Sequence, residues 1–125
     1  MVRLKQITPF VLVTDMGRAR RFFEGVLGFS TTFHADNYAF IRRDAVALRL
    51  IEVEQSCDLH DPARQQHCYI DVDGIDALYE QMQPQLDKLP AGRVRAPFDT
   101  YYGQREFHVS DEDALLISFG QPVAT

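Results

Sequence analysis

Ile7–Phe29 reads ITPFVLVTDMGRARRFFEGVLGF, and this stretch decides the fold. Ile7 to Val13 is rich in apolar and β-branched residues, which predicts a strand. Asp15 follows it. An aspartate there is a good N-cap, because its carboxylate accepts from the unpaired N–H groups of a first helical turn. Met16, Ala19, Phe23, Val26 and Leu27 then recur at helical spacing. Arg18, Arg20 and Arg21 fall largely off that stripe and are expected in solvent. Gly28 suits a helix end, since it takes positive φ without a Cβ clash.

Working outward, three short strands are predicted at Phe29–Phe33, Tyr38–Arg42 and Val46–Val53. They are separated by His34–Asn37 and Arg43–Asp44. Glu54–Gln66 is polar, contains Pro62 and reads as a linker. The pattern then restarts. Cys68, Ile70 and Val72 alternate with Tyr69 and Asp71, as in a half-buried strand. Asp73 takes the place of Asp15, and Ile75, Leu78, Tyr79 and Met82 form a second helical stripe. Pro84 is expected to end or kink that helix. Arg93–Phe98, Arg105–Val109 and Leu115–Phe119 complete another three strands, with turns at Gly103 and Asp111–Asp113. The order is βαβββ twice: an α+β fold of two modules, residues 1–55 and 67–125, in one domain joined by the linker 54–66.

The chain of 125 residues suits one domain. Such a chain buries roughly two thirds of its unfolded surface, enough for a core without staples. The net charge of -5 argues against nucleic acid, which needs a clustered basic surface, and would fit a cationic ligand. Cys57 and Cys68 show no disulfide-framework spacing. Arg3, Lys5 and Gln6 interrupt the first ten residues, so no signal peptide is read there. Apolar runs fall short of the roughly 20 residues of a membrane helix. The expected compartment is the cytoplasm, with both thiols reduced and no membrane partner.

The opening stretch resembles the start of the vicinal oxygen chelate superfamily. That superfamily includes glyoxalase I, extradiol dioxygenases, fosfomycin resistance enzymes and bleomycin resistance proteins. The tail Tyr102–Gly120, YGQREFHVSDEDALLISFG, resembles its closing hairpin, most of all in the bleomycin resistance branch. One departure is plain: the usual Asp-Pro-Asp-Gly turn is here Asp111-Glu112-Asp113-Ala114. The resemblance implies curved mixed sheets enclosing a cleft, completed in many members by a second subunit. A homodimer is therefore expected. In the enzymes of the superfamily, the cleft holds a divalent metal on the first and last strands of each module.

Counting from the motifs places those four ligand positions at Thr8, Arg49, His67 and Ser118. The family's ligands there are His, Gln or Glu, and only His67 qualifies. A catalytic divalent ion needs about three protein ligands. Arg49 would instead bring a fixed positive charge. No metal and no cofactor are therefore expected. Cys57, His60, His67 and Cys68 look like a zinc-finger fragment, but His67 and Cys68 are adjacent on a strand and point to opposite faces. Cys57 and Cys68 read as a loop thiol and a core thiol.

Alternation sorts the strands into helix-facing and cleft-facing sets. The expected ligand-binding residues are Phe10, Leu12, Arg49, His67, Tyr69, Asp71, Tyr102, Glu106 and His108. They make a mixed pocket, aromatic and aliphatic walls with a few polar groups, as small-molecule sites have. Each also has a plainer reading: packing for Phe10 and Tyr69, a salt bridge with Arg49 or Arg105 for Asp71 and Glu106, a solvated side chain for His108. Tyr101 and Tyr102 read either as an aromatic lip or as exposed hairpin residues. The favoured function is a bleomycin-resistance-like protein that binds a small cationic molecule in a dimer cleft without metal chemistry. The alternatives are a metal-dependent lyase, isomerase or dioxygenase, a metal-free acid–base enzyme, and a structural dimer without a ligand.

Overall fold

The first strand is shorter than its composition suggests, and the reason is Pro9. In the computed structural model, which describes residues 1–123, β1 is Phe10–Val13. Proline has no N–H to give a ladder; pairing with the neighbouring strand begins where Arg49 N–H donates to the Pro9 carbonyl, 2.9 Å. Ile7 and Thr8 precede the strand. Residues 124 and 125, the end of the range expected for the second module, lie outside the described residues.

Helix α1 is Met16–Gly25, and Asp15 caps it as expected, its carboxylate accepting from Arg18 N–H. Strands β2 (Ser30–Ala35), β3 (Tyr38–Arg43) and β4 (Val46–Glu52) follow. A short 3-10 turn at Pro62–Arg64 interrupts the linker. The second module is β5 (His67–Asp71), α2 (Ile75–Leu86), β6 (Val94–Asp99), β7 (Gln104–Ser110) and β8 (Leu116–Pro122). Its sheet order β5-β8-β7-β6 repeats β1-β4-β3-β2. In each sheet the first strand runs parallel to the last and the others are antiparallel. The fold is the expected α+β pair of βαβββ modules. No described helix is long and apolar enough to cross a membrane.

Three local expectations are corrected. Asp73 does not cap α2: the N-cap is Gly74 at φ 88, and Gln121 Oε1 accepts from the N–H groups of Gly74 and Ile75. Pro84 lies inside α2, which runs on to Leu86. It sits in the last turn, where little helix remains to be broken. The arginines of α1 are not simply solvated. Arg18 donates to Thr14 Oγ1 and pairs with Asp113, and Arg20 donates to Glu24 and Thr31.

Each helix covers one face of its own sheet. Met16, Ala19, Phe22 and Phe23 of α1 are buried against Val11, Val13, Leu48 and Leu50. Ile75, Met82 and Leu86 of α2 lie over Phe107 and Phe119, whose rings stack at 4.8 Å. Burying one such side chain contributes about 1.5–3 kcal/mol. Cys68 is half-buried on this side, and burial, with the nearby Asp111 carboxylate adding to it, pushes its thiol up to about 11.

The modules are joined by side chains that stand in for a strand. Leu12 N–H donates to Gln66 Oε1 at 2.9 Å, and Gln66 Nε2–H donates to the Phe10 carbonyl at 3.2 Å. One amide thus satisfies the outer edge of β1 where the second module begins. Nearby, Thr14 donates through its N–H and its hydroxyl to the Asp113 carboxylate, 3.0 and 2.7 Å.

Asp113 belongs to the turn whose sequence departs from the pattern it resembles. Ala114 takes φ 65, a left-handed conformation that is costly with a Cβ. The turn is held by Asp111 Oδ1, which accepts from Asp113 N–H and Leu115 N–H. Burial raises the Asp111 carboxyl from 3.8 to about 6, partly opposed by those two N–H groups. Through this interval the folded protein keeps a proton that the unfolded chain has lost. The stabilisation linked to that proton is complete below about pH 4 and is lost as pH rises through about 6. An asparagine side chain in this place would keep an oxygen for both N–H groups and carry no charge. Asp111→Asn is expected to be more stable than the parent at about pH 8, by on the order of 2 kcal/mol. Urea denaturation should show the gap closing toward about pH 4; a gap independent of pH would contradict this account.

Candidate functional site

Directly paired residues on neighbouring strands share a face. On the helix-free face of the first sheet, Phe10, Arg49, Phe40 and Phe33 form one row, and Leu12, Ile51, Tyr38 and Ala35 the next. On the second sheet the rows are Tyr69, Ser118, His108 and Arg95, then Asp71, Gly120, Glu106 and Phe98. His67 lies beyond, opposite Leu116. All the residues expected from alternation therefore lie on the two helix-free faces. Tyr102 joins them from the β6–β7 turn. Phe10, Phe33, Tyr69 and Tyr102 are exposed there, with Phe10 still 59% accessible. A single chain leaves this aromatic face uncovered.

The second sheet carries a hydrogen-bonded cluster around Glu106, which is 1% exposed and not open to the cleft as alternation suggests. Tyr102 and Tyr69 cover it. Tyr102 O–H donates to Glu106 Oε2 at 2.6 Å, and His108 Nε2–H donates to Oε1 at 2.8 Å. The Tyr69 hydroxyl reaches the same carboxylate. Burial alone would raise the Glu106 carboxyl, but these three donors outweigh it and hold it below its ordinary value. Burial, and then the bond to Glu106, push Tyr69 up to about 12. The ionised carboxylate fixes His108 with its proton on Nε2 and sets its ring edge-on to Phe98, centroids 5.2 Å apart. Gly120 makes the cluster fit: a Cβ there would collide with the Tyr69 hydroxyl.

The salt bridges considered for Asp71 and Glu106 do not form. Arg105 pairs instead with Asp76 and Asp99, at 2.9 and 3.0 Å. Asp71, at the end of β5, also borders a groove of about 490 Å³ between the modules, lined by Phe29, Val46, Val72 and Leu78. Tyr101 is fully exposed, while Tyr102 is turned inward to Glu106. His67 Nε2 and Ser118 Oγ share a hydrogen bond of 2.9 Å.

On the first sheet Arg49 is held from three sides. Its Nε–H donates to Thr8 Oγ1 at 2.7 Å, an Nη1–H donates to the Tyr38 hydroxyl, and its Cζ lies 4.8 Å from the Phe40 ring centre. Thr8, Arg49, His67 and Ser118 are the positions at which the resemblance implies a divalent metal in the enzymes. The donor set does not fit one: the guanidinium already fills the first-sheet side, and a single imidazole faces two hydroxyls. Among the described residues no group of three or more His, Cys, Asp or Glu is placed to hold a metal.

Tyr38, Phe40, Phe98 and Gly120 were not among the residues expected from sequence. Alternation in Tyr38–Arg42 carried the signal for the first two, since Ala39 and Ile41 are its buried set. Glu106→Gln keeps the shape of the cluster and removes its charge. It is expected to bring the last-titrating tyrosine down by roughly one pH unit or more in an ultraviolet titration, because a neutral amide no longer opposes the phenolate. An unchanged titration would place Tyr69 away from Glu106 in solution.

Residues 3–119 match the model of the Glyoxalase/Bleomycin resistance protein/Dioxygenase superfamily. A bleomycin resistance protein of Geobacillus stearothermophilus is 29% identical over 131 residues, covering 94% of this chain and 97% of that protein. A bleomycin-binding protein solved in complex with bleomycin superposes with TM-score 0.78 at 21% identity, covering 94% of this chain and 98% of the other. The bleomycin-binding protein of Streptomyces verticillus, complexed with copper(II)-bleomycin, gives 0.76 at 22% identity with both chains fully covered. With two βαβββ modules in the same order and a family match across nearly its whole length, the chain belongs to the glyoxalase/bleomycin resistance protein/dioxygenase superfamily.

Proposed function

We propose that this protein binds a bleomycin-type antibiotic on its helix-free face and protects by sequestration, without chemical change to the drug. The observation that carries this reading is the uncovered aromatic face of Phe10, Phe33, Tyr69 and Tyr102, on a scaffold whose expected metal positions hold Arg49, two hydroxyls and a single imidazole. Aromatic walls with a few oriented polar groups favour binding of a largely planar molecule. The His108–Glu106 pair is a feature that would suit acid–base work. Yet the carboxylate lies beneath two tyrosines with both oxygens engaged, which suits a structural anchor better. The relatives that carry the bleomycin resistance name add support, and the two unpaired thiols suit a reducing cytoplasm.

The reading includes a second copy. Met1, Val2, Leu4 and Ile7 are almost fully exposed ahead of Pro9, beside the exposed Phe10. Apolar groups in this number are costly in water and mark an interface. A homodimer that covers them would also close the cleft.

Bleomycin at a hundredfold excess over its Kd is expected to raise Tm by roughly 10 °C, and mass spectrometry should recover it unmodified. No shift would remove the reading, and a modified drug would replace it with an enzymatic one. Light scattering should give twice the chain mass of 14.3 kDa. Deleting residues 1–8 is expected to produce monomers and to weaken drug binding; a full-strength dimer after the deletion would show that this segment is not part of the contact.

A further inference from the structure

The first sheet carries an unusual balance of charge. On its helix-free face the rows hold Phe10, Leu12, Phe33, Ala35, Tyr38, Phe40, Ile51 and two arginines, Arg42 and Arg49. There is no carboxylate among them. Both guanidiniums lie against one ring: the Cζ atoms of Arg49 and Arg42 are 4.8 and 5.7 Å from the centre of Phe40. Arg18, Arg20, Arg93 and Arg105 pair with carboxylates. Arg42 and Arg49, like several other arginines, join no ion pair among the described residues, and Arg42 donates to Gln6 Oε1 at 3.2 Å. Both side chains are only partly accessible. Half-burying a positive charge without a counter-charge is unfavourable, and the chain as a whole is acidic, so carboxylates were available.

Arg49 is also oriented before any ligand arrives. Thr8 takes its Nε–H and Tyr38 takes one Nη1–H. A guanidinium has five N–H groups, so the rest of its donors have no acceptor among the described residues. The planar fork is held in place and keeps free N–H groups beside an aromatic wall. Guanidinium suits this task, because it remains charged and meets planar oxyanions with paired hydrogen bonds.

We propose that Arg49, assisted by Arg42, forms an oxyanion subsite that takes a carboxylate, sulfonate or phosphate carried on an aromatic ligand. The fixed positive charge thus stands where enzymes of the superfamily place a metal, and it recruits an anionic oxygen without one. The proposal rests on the helix-free face being the binding face. It adds a ligand class that the acidic composition of the chain does not suggest: aromatic acids, oriented with the acid on the first sheet.

Two fluorescent probes with the same aromatic body test it. Anilinonaphthalene sulfonate carries the anion, and N-phenyl-1-naphthylamine lacks it. At low salt the parent protein is expected to bind the sulfonate more tightly than the amine. Arg49→Met, which keeps an apolar stem, should weaken the sulfonate by about tenfold or more, the worth of a charged hydrogen bond. The neutral probe should change by less than about twofold. Arg49→Lys should retain part of the preference. The proposal is overturned if the parent shows no preference for the sulfonate, if Arg49→Met leaves that preference intact, or if both probes weaken alike, which would make Arg49 a support for the wall. Bleomycin binding is measured on the same proteins. If the parent ignores bleomycin but shows the Arg49-dependent preference, the antibiotic reading falls and the subsite stands.

Discussion

The amide of Gln66 is the joint on which the molecule turns. An edge strand with open N–H and C=O groups cannot be buried against another module without a partner. Here Leu12 N–H and the Phe10 carbonyl are both met by one side chain from the residue just ahead of β5. That amide ties β1, the edge strand of one four-stranded sheet, to the residue just before β5, the edge strand of the other. The Thr14–Asp113 bonds secure the joint from the next turn of chain.

Much of this order was legible. Asp15 as a cap, Gly28 and Gly103 at positive φ, and the alternation of β5 and β7 follow from local chemistry that the side chains announce. What escaped depended on partners far along the chain. Gln121 caps α2 from the end of β8, so nothing near Asp73 could reveal it. Pro9 shortened β1 because pairing needs an N–H, a matter of register and not of hydrophobicity. For the site, face assignment was readable residue by residue, but depth was not. Glu106 and His108 share a face, yet the carboxylate is sealed under Tyr69 and Tyr102, which come from β5 and a turn. The hole left by Gly120 exists only in three dimensions.

The two modules repeat one another in topology and differ in chemistry. Arg49 and Ser118 occupy matching places on the last strand of each module, as Phe10 and Tyr69 do on the first. One sheet thus presents uncompensated guanidinium beside phenylalanine. The other presents Arg95 against Phe98 and a carboxylate whose oxygens are already taken by tyrosine and imidazole donors. Matched positions in one topology thus carry different side chains, and the difference lies in the acid: buried on the second sheet and missing from the helix-free rows of the first.

Glycine at position 120 draws a further line between the halves. Its counterpart in the first sheet is Ile51, one of the row with Leu12 and Tyr38, and no hydroxyl can sink there. Only one end of the cleft can therefore hide an acid beneath its surface. A molecule lying across both sheets would meet an acid sunk beneath one wall and a flush aliphatic surface on the other.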